Sequence, residues 1–228
     1  MTGFVADSSG RIGALTHPTT ITFRFPPLET IDTATETELA GTYRGTPSMT
    51  TREPNERVRL RPARADDGEA IVDVHVASIR ELGKEAYDPD QVDAWASNKH
   101  PGRYPLEDET VHTVVAERRT SGTGETDEPE ADATRLAGFG WVDLEKGEIT
   151  AVYVHPEDTH RGVGRKVVGE LERAARAAGL ESLFLYASLN AREFYERLGY
   201  DVHSVIEQEI WGERLESVRM RKRLEENR

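Results

Sequence analysis

The chain has 228 residues, enough for one sizeable core, and its 42 acidic against 29 basic side chains give a net charge of −13. That balance argues against general nucleic-acid binding, which needs a basic surface, and the absence of Cys rules out disulfides, thiolate zinc sites and a cysteine nucleophile. No apolar run approaches the roughly 20 residues of a membrane span and no signal-like segment opens the chain, so a cytoplasmic protein without a membrane partner is expected.

Residues 1–55 are rich in Thr, Ser, Gly and Pro and lack sustained periodicity, which predicts a disordered N-terminal extension or an upstream segment ahead of a start at Met49. From Arg57 the pattern becomes regular. Val58 to Pro62 alternates like a strand. Asp66 or Asp67 then caps a helix with Ile71, Val74, His75, Ile79 and Leu82 on one face, and Gly83 supplies its stop. Asp88-Pro89-Asp90-Gln91 opens a second, shorter helix through Val92 and Trp95.

Val111 to Glu117 reads as a strand, and the Gly- and acid-rich stretch from Thr120 to Thr134 as a solvated hairpin loop. Leu136 to Leu144 and Glu148 to His155 are strands joined at Lys146-Gly147. Gly162 to Ala178 is an amphipathic helix ended by Gly179. A strand from Leu183 to Leu189, a short helix from Asn190 to Leu198 closed by Gly199, and strands over Val202–Trp211 and Leu215–Leu224 complete the chain. This order predicts an α/β domain with a mixed, mostly antiparallel sheet and flanking helices.

The stretch Thr159-His160-Arg161-Gly162-Val163-Gly164-Arg165-Lys166 sits at a strand-to-helix corner. Glycines there let the backbone approach a ligand, and the first helix amides and the helix dipole favour an anion. A P-loop would need Gly-x-x-x-x-Gly-Lys-Ser/Thr, which does not occur. A dinucleotide fingerprint would need a third glycine where Val167 stands, and an earlier place in the chain.

A third reading fits a wider stretch. Ala151-Val152-Tyr153-Val154-His155-Pro156, then Arg161-Gly162-Val163-Gly164, then Asn190-Ala191-Arg192-Glu193-Phe194-Tyr195-Glu196-Arg197-Leu198-Gly199-Tyr200 resemble the GCN5-related N-acetyltransferases, the GNAT family. The resemblance runs from 57 to 224, which sets the expected catalytic domain at 56–228. It implies acetyl-CoA as co-substrate, a splayed strand pair, and transfer to a primary amine by direct attack.

By the same resemblance, pantetheine pairs with the backbone of Val152, Tyr153 and Val154. The pyrophosphate sits on the amides of Arg161, Gly162, Val163, Gly164 and Arg165, with both Arg side chains adding charge. Thr159 departs from the family's usual Gln or Arg, which leaves recognition there to the backbone and Arg161.

Tyr195 is the implied general acid toward the departing thiolate, with a core aromatic as the plain alternative. Glu148 is the candidate base or else a solvated strand-start carboxylate; His155 and His160 are weaker choices. Ser188 or Asn190 would touch the cofactor, unless Asn190 is a helix N-cap. His75, Arg80, Tyr87 and Trp95 lie where the family builds its acceptor pocket, and a helix-face His is commonly a core residue.

The resemblance leaves the acceptor open between small molecules and peptides, and implies a homodimer through the last strands. A non-catalytic CoA-binding module on the same fold is the rival reading. No His/Asp/Glu cluster has metal-ligand spacing. Lys occupies only five of the 29 basic positions. An acidic, Arg-rich surface fits a halophilic protein, in which salt screens self-repulsion, and also fits GC-rich coding of an ordinary acidic one.

Overall fold

A computed structural model describes residues 58–120 and 133–225. The expected N-terminal extension and most of the expected acidic hairpin loop lie outside the described residues. Seven strands and four α-helices follow in the expected order: β1 (Val58–Pro62), α1 (Gly68–Leu82), α2 (Pro89–Ala96), β2 (Val111–Thr120), β3 (Ala133–Asp143), β4 (Glu148–Val154), α3 (Val163–Ala177), β5 (Ser182–Ser188), α4 (Arg192–Glu196), β6 (Asp201–Ile210) and β7 (Glu213–Arg223). They form one sheet in the order β1-β2-β3-β4-β5-β7-β6. Every pairing is antiparallel except β4 with β5. A βαβ crossover through α3 makes that one parallel contact, as a parallel pair requires.

Three local readings need correction. Asp67 precedes α1, but its carboxylate does not cap it. It takes two hydrogen bonds of 2.7 Å from Arg61 and one of 2.7 Å from the Arg64 amide. The Arg61 guanidinium beside it holds the carboxyl below its ordinary range. Gly83 does not stop the helix in a left-handed turn: its φ is −63° and a single 3₁₀ turn, Gly83–Glu85, continues the coil. Its value is space, because a Cβ there would lie 3.3 Å from Val92 Cγ2 where α1 meets α2. Asn190 caps no helix, since Ser188 and Ala191 hold the cap positions of the 3₁₀ turn Leu189–Ala191 and of α4. The α2 start follows expectation, with Asp88 and Gln91 in a reciprocal capping box and Pro89 in the first turn.

β3 carries the two faces of the molecule in alternation. Phe139 and Trp141 join Ile71, Val74, Tyr104 and Tyr153 beneath α1. Gly138 and Gly140 face α3 instead. A Cβ on Gly140 would lie 2.7 Å from the Ala151 carbonyl oxygen and 2.8 Å from Val167 Cγ1. One on Gly138 would lie 2.9 Å from the Tyr153 carbonyl oxygen and 3.1 Å from Val163 Cγ1. The missing side chains let α3 settle directly on the sheet, burying Val163, Val167, Val168 and Leu171 against Leu183, Leu185, Val218 and Met220.

β4 has a bulge. Trp141 pairs with Ala151 and Val142 with Ile149, leaving Thr150 as the extra residue. Side-chain alternation shifts by one across it. Ile149, Val152 and Val154 pack with the α3 cluster, and Ala151 and Tyr153 with the α1 cluster.

Gly140→Ala, whose Cβ meets backbone as well as side chain, is expected to destabilise the fold by about 1–3 kcal/mol. Gly169→Ala, on the exposed face of α3 with nothing within 4 Å of its Cβ, should stabilise by about 0.5–1 kcal/mol. Equilibrium denaturation of the two variants checks the pair.

Candidate functional site

β4 and β5 share only two register pairs, Glu148↔Phe184 and Ile149↔Leu185, although β4 runs on to Val154 and β5 to Ser188. Past Ile149 the strands diverge into a cleft of about 420 Å³ lined from three sides. β4 contributes Thr150 to Val154, the corner before α3 contributes residues 158–160 and 162–165, and Ser188, Asn190, Phe194 and Tyr195 close the far side. Backbone donors and acceptors on a strand edge with no neighbouring strand are suited to an extended, amide-bearing ligand.

At the head of the cleft Gly162 adopts φ +78°, a left-handed conformation that Gly takes at little cost, and α3 begins one residue later. The first α3 amides have no intrahelical partner by construction and face the cleft with the positive end of the dipole. Gly164 matters for closeness: its Cβ would come within 3.2 Å of Phe194 Cζ and 3.5 Å of Val154 Cγ2. The corner therefore joins free amides, little steric bulk and the Arg165 side of the helix, which together suit a phosphate.

The structure brings most of the sequence candidates together. Val152, Tyr153, Val154, Gly162, Val163, Gly164, Arg165, Ser188, Asn190 and Tyr195 all line this one cleft. Val163 does so although its side chain also packs in the core. Two candidates stand apart. Arg161 is exposed and does not line the cleft, so the guanidiniums at this site are Arg165 and Arg197. Glu148 sits at the closed end, where β4 and β5 are still paired, and outside the lining. Burial pushes its carboxyl above the ordinary range, with Asp143 adding to the rise and Lys146 opposing it.

Tyr195 is 7% exposed, packed edge-on to Phe194 and Tyr200, and burial raises its phenol above the ordinary value. Tyr153 across the cleft is raised chiefly by burial and then by Tyr195. Asn190 donates from Nδ2 to the Leu82 carbonyl at 3.0 Å, tying the end of α1 to the far wall of the cleft. Its buried Oδ1 has no hydrogen-bond partner among the described residues.

Of the residues expected near an acceptor, Trp95 lines the cleft with Ser78, Ile79 and Leu82. Tyr87 is structural: it donates to the Glu216 carbonyl at 2.7 Å and accepts from the Leu189 amide at 3.0 Å, locking the α1–α2 connection to β7 and the turn after β5. His75 is a core residue, with its ring centroid 3.9 Å from that of Tyr153 and Nδ1 3.0 Å from the Tyr104 hydroxyl. Burial, with Lys99 nearby, pushes it down to about 3. His155 lines a separate hollow beside Arg61 and Glu117. His160 lines the cleft at φ +57°.

Arg197 and Asp158 were missed in the sequence. Arg197 lies two residues past Tyr195, inside the motif already singled out. Asp158 gave no local signal, because its partners are distant in sequence. Among the described residues no group of three or more His, Cys, Asp or Glu could hold a metal, and no helix is long and apolar enough to cross a membrane.

Comparison with known proteins gives the family. The model described as the acetyltransferase (GNAT) family matches residues 79–200. A GCN5-related N-acetyltransferase structure from Rhodopseudomonas palustris is 29% identical, with a TM-score of 0.62 over 74% of this chain and 96% of that one. The PaiA N-acetyltransferase of Thermoplasma acidophilum, solved in complex with coenzyme A, shares the fold at 17% identity and a TM-score of 0.55, over 73% of this chain and 98% of that one. An amino-acid acetyltransferase of Pseudomonas syringae pv. syringae is 38% identical over 64 residues, 28% of this chain but only 15% of its own length.

His75 generates a pH prediction. Its folded pKa is depressed, so below its ordinary 6.5 the unfolded state binds the extra proton. Stability is full above that pH and is lost as pH falls toward about 3, with a limiting slope of about 1.4 kcal/mol per pH unit. His75→Gln should flatten that part of the profile, read by denaturant midpoints from pH 7 to 4. The chain belongs to the GNAT acetyltransferase family.

Proposed function

We propose that this chain is an N-acetyltransferase that moves the acetyl group of acetyl-CoA to a primary amine by direct attack. The observation that carries the reading is the divergence of β4 from β5 onto the start of α3, with the Tyr195 phenol in the same cleft. When bound, acetyl-CoA supplies a thioester carbon open to an amine and a thiolate as leaving group.

The residues present fit that co-substrate. The amides from Val163 to Arg165 and the Arg165 charge would hold the pyrophosphate, in a corner that a Cβ on Gly164 would crowd against Phe194. The backbone of Val152, Tyr153 and Val154 would pair with the pantetheine amides. Ser188 and the buried Oδ1 of Asn190 offer further hydrogen-bonding groups.

The Tyr195 phenol is protonated at neutral pH at its ordinary value of 10.0, and burial moves it further from ionisation. It is therefore equipped to give that proton, or a hydrogen bond, to the departing sulfur and not to act as base. Glu148 stands outside the cleft lining, so its part as base runs through water. The attacking amine loses its proton to that water and on to the carboxylate. The acceptor, small molecule or peptide, would enter from the α1–α2 side between Ile79, Leu82, Trp95 and Tyr153. The acidic, Lys-poor composition supports a protein that works at high salt.

A panel of primary amines assayed by CoA release, at high and low salt, tests the activity and finds the acceptor. With an amine so found, Tyr195→Phe should lower kcat by about 10²-fold or more while CoA affinity holds. An unchanged rate would remove Tyr195 from the chemistry. The acid limb of kcat/KM should lie above 4.5, the ordinary value from which Glu148 is raised, and Glu148→Gln should abolish that limb. A limb that survives the substitution assigns the base elsewhere.

A further inference from the structure

We infer that Asp158 is a positioning residue for the phosphate-binding corner, its carboxylate clamped between Arg118 and Arg135. This rests on the reading of the corner as the seat of the CoA pyrophosphate.

Asp158 is 0% exposed, a state that carboxylates reach only when paired. It ends the 3₁₀ turn Pro156–Asp158 between β4 and α3. Its carboxylate contacts Arg118 of β2 and lies 2.6 Å from Arg135 of β3. Those two arginines are direct register partners across β2 and β3. Like charges placed opposite each other repel, so the sheet presents two cations that need one shared anion. The loop between β4 and α3 supplies it. Arg135 is itself held, reaching the Leu136 carbonyl at 3.3 Å and Glu157 at 3.1 Å.

The clamp acts on the backbone that forms the corner. The Asp158 amide donates to the His155 carbonyl at 2.8 Å, and Thr159 Oγ1 to the Pro156 carbonyl at 2.9 Å. Three residues later comes Gly162 at φ +78°, with His160 at φ +57° between them. A non-glycine residue stays left-handed only where its surroundings hold it there. With Asp158 pinned to β2 and β3 at one end and α3 packed on the sheet at the other, those two turns have a fixed span to bridge. The direction of the first α3 amides follows from that span.

Charge and position make opposite predictions. Asp158→Asn leaves both arginines in place and makes the corner one unit more positive, so a purely electrostatic role would tighten phosphate binding. A positioning role loosens it. The test uses the full chain and compares dissociation constants for CoA and for pantetheine, which keeps the arm and lacks the phosphates.

Asp158→Asn should weaken CoA about tenfold or more and leave pantetheine within about twofold. Arg135→Lys, which keeps the charge and alters the clamp from its more exposed side, should give the same phosphate-specific loss and carries the test if the first variant does not fold. Tighter CoA binding, or equal loss of both ligands, overturns the inference, as does CoA binding unchanged in both variants. If the unaltered protein binds CoA no better than pantetheine, the acetyl-CoA reading itself fails.

Discussion

Two neighbouring strands that pair at one end and cannot pair at the other set the terms for the rest of this molecule. β4 and β5 are joined by a helical crossover, and their parallel contact stops after Ile149 meets Leu185. Beyond it the strand edges are left with donors and acceptors that folding alone does not match. Such a gap survives only if the sheet is tied together elsewhere. One tie is the buried cluster behind it, where α3 packs against both halves of the sheet. Another is ionic: buried Glu172 of α3 lies 2.8 Å from Lys222 of β7 and 3.2 Å from Arg176. A third is Asn190, which holds α1 to the far wall.

The same plan separates the two sides of the reaction proposed for this cleft. On the α3 side of β3 are glycines, which bring a helix terminus close to the strand ends. On the α1 side are aromatic rings: Phe139 stacks at 5.5 Å on Tyr153 and at 5.8 Å on Trp141. One face is shaped by what is missing and suits an extended polar arm reached through backbone groups. The other is shaped by side chains, and side chains are what vary between acceptors.

Much of this could be read from the chain alone. Periodicity and turn residues placed every strand and helix, because each element's pattern is local: Pro89 and Gln91 around the α2 start, Gly147 at φ +67° and Gly179 at φ +83° where turns demand it. The glycine corner and the Tyr195 helix were legible because a left-handed turn into a helix and a close approach to Phe194 need particular residues in order. Asp67 and Gly83 misled, since their partners, Arg61 in β1 and Val92 in α2, outweighed the local capping preference. Arg161 adjoins the corner in sequence, yet it is exposed and does not line the cleft. Asp158 was invisible, as a carboxylate's burial depends on arginines about 20 to 40 positions upstream.

The extra residue at Thr150 has a consequence of a different kind. It works as a frame shift in the inside–outside parity of β4, so residues before it and after it follow opposite rules for which face they serve. A substitution along this strand alters one wall of the cleft by one side chain. Deleting Thr150 would join Ile149, which faces α3, to Ala151, which faces α1, and leave the other side chains of the strand on their present walls. The bulge is therefore where β4 absorbs one residue more than β3 without exchanging the two walls of the cleft.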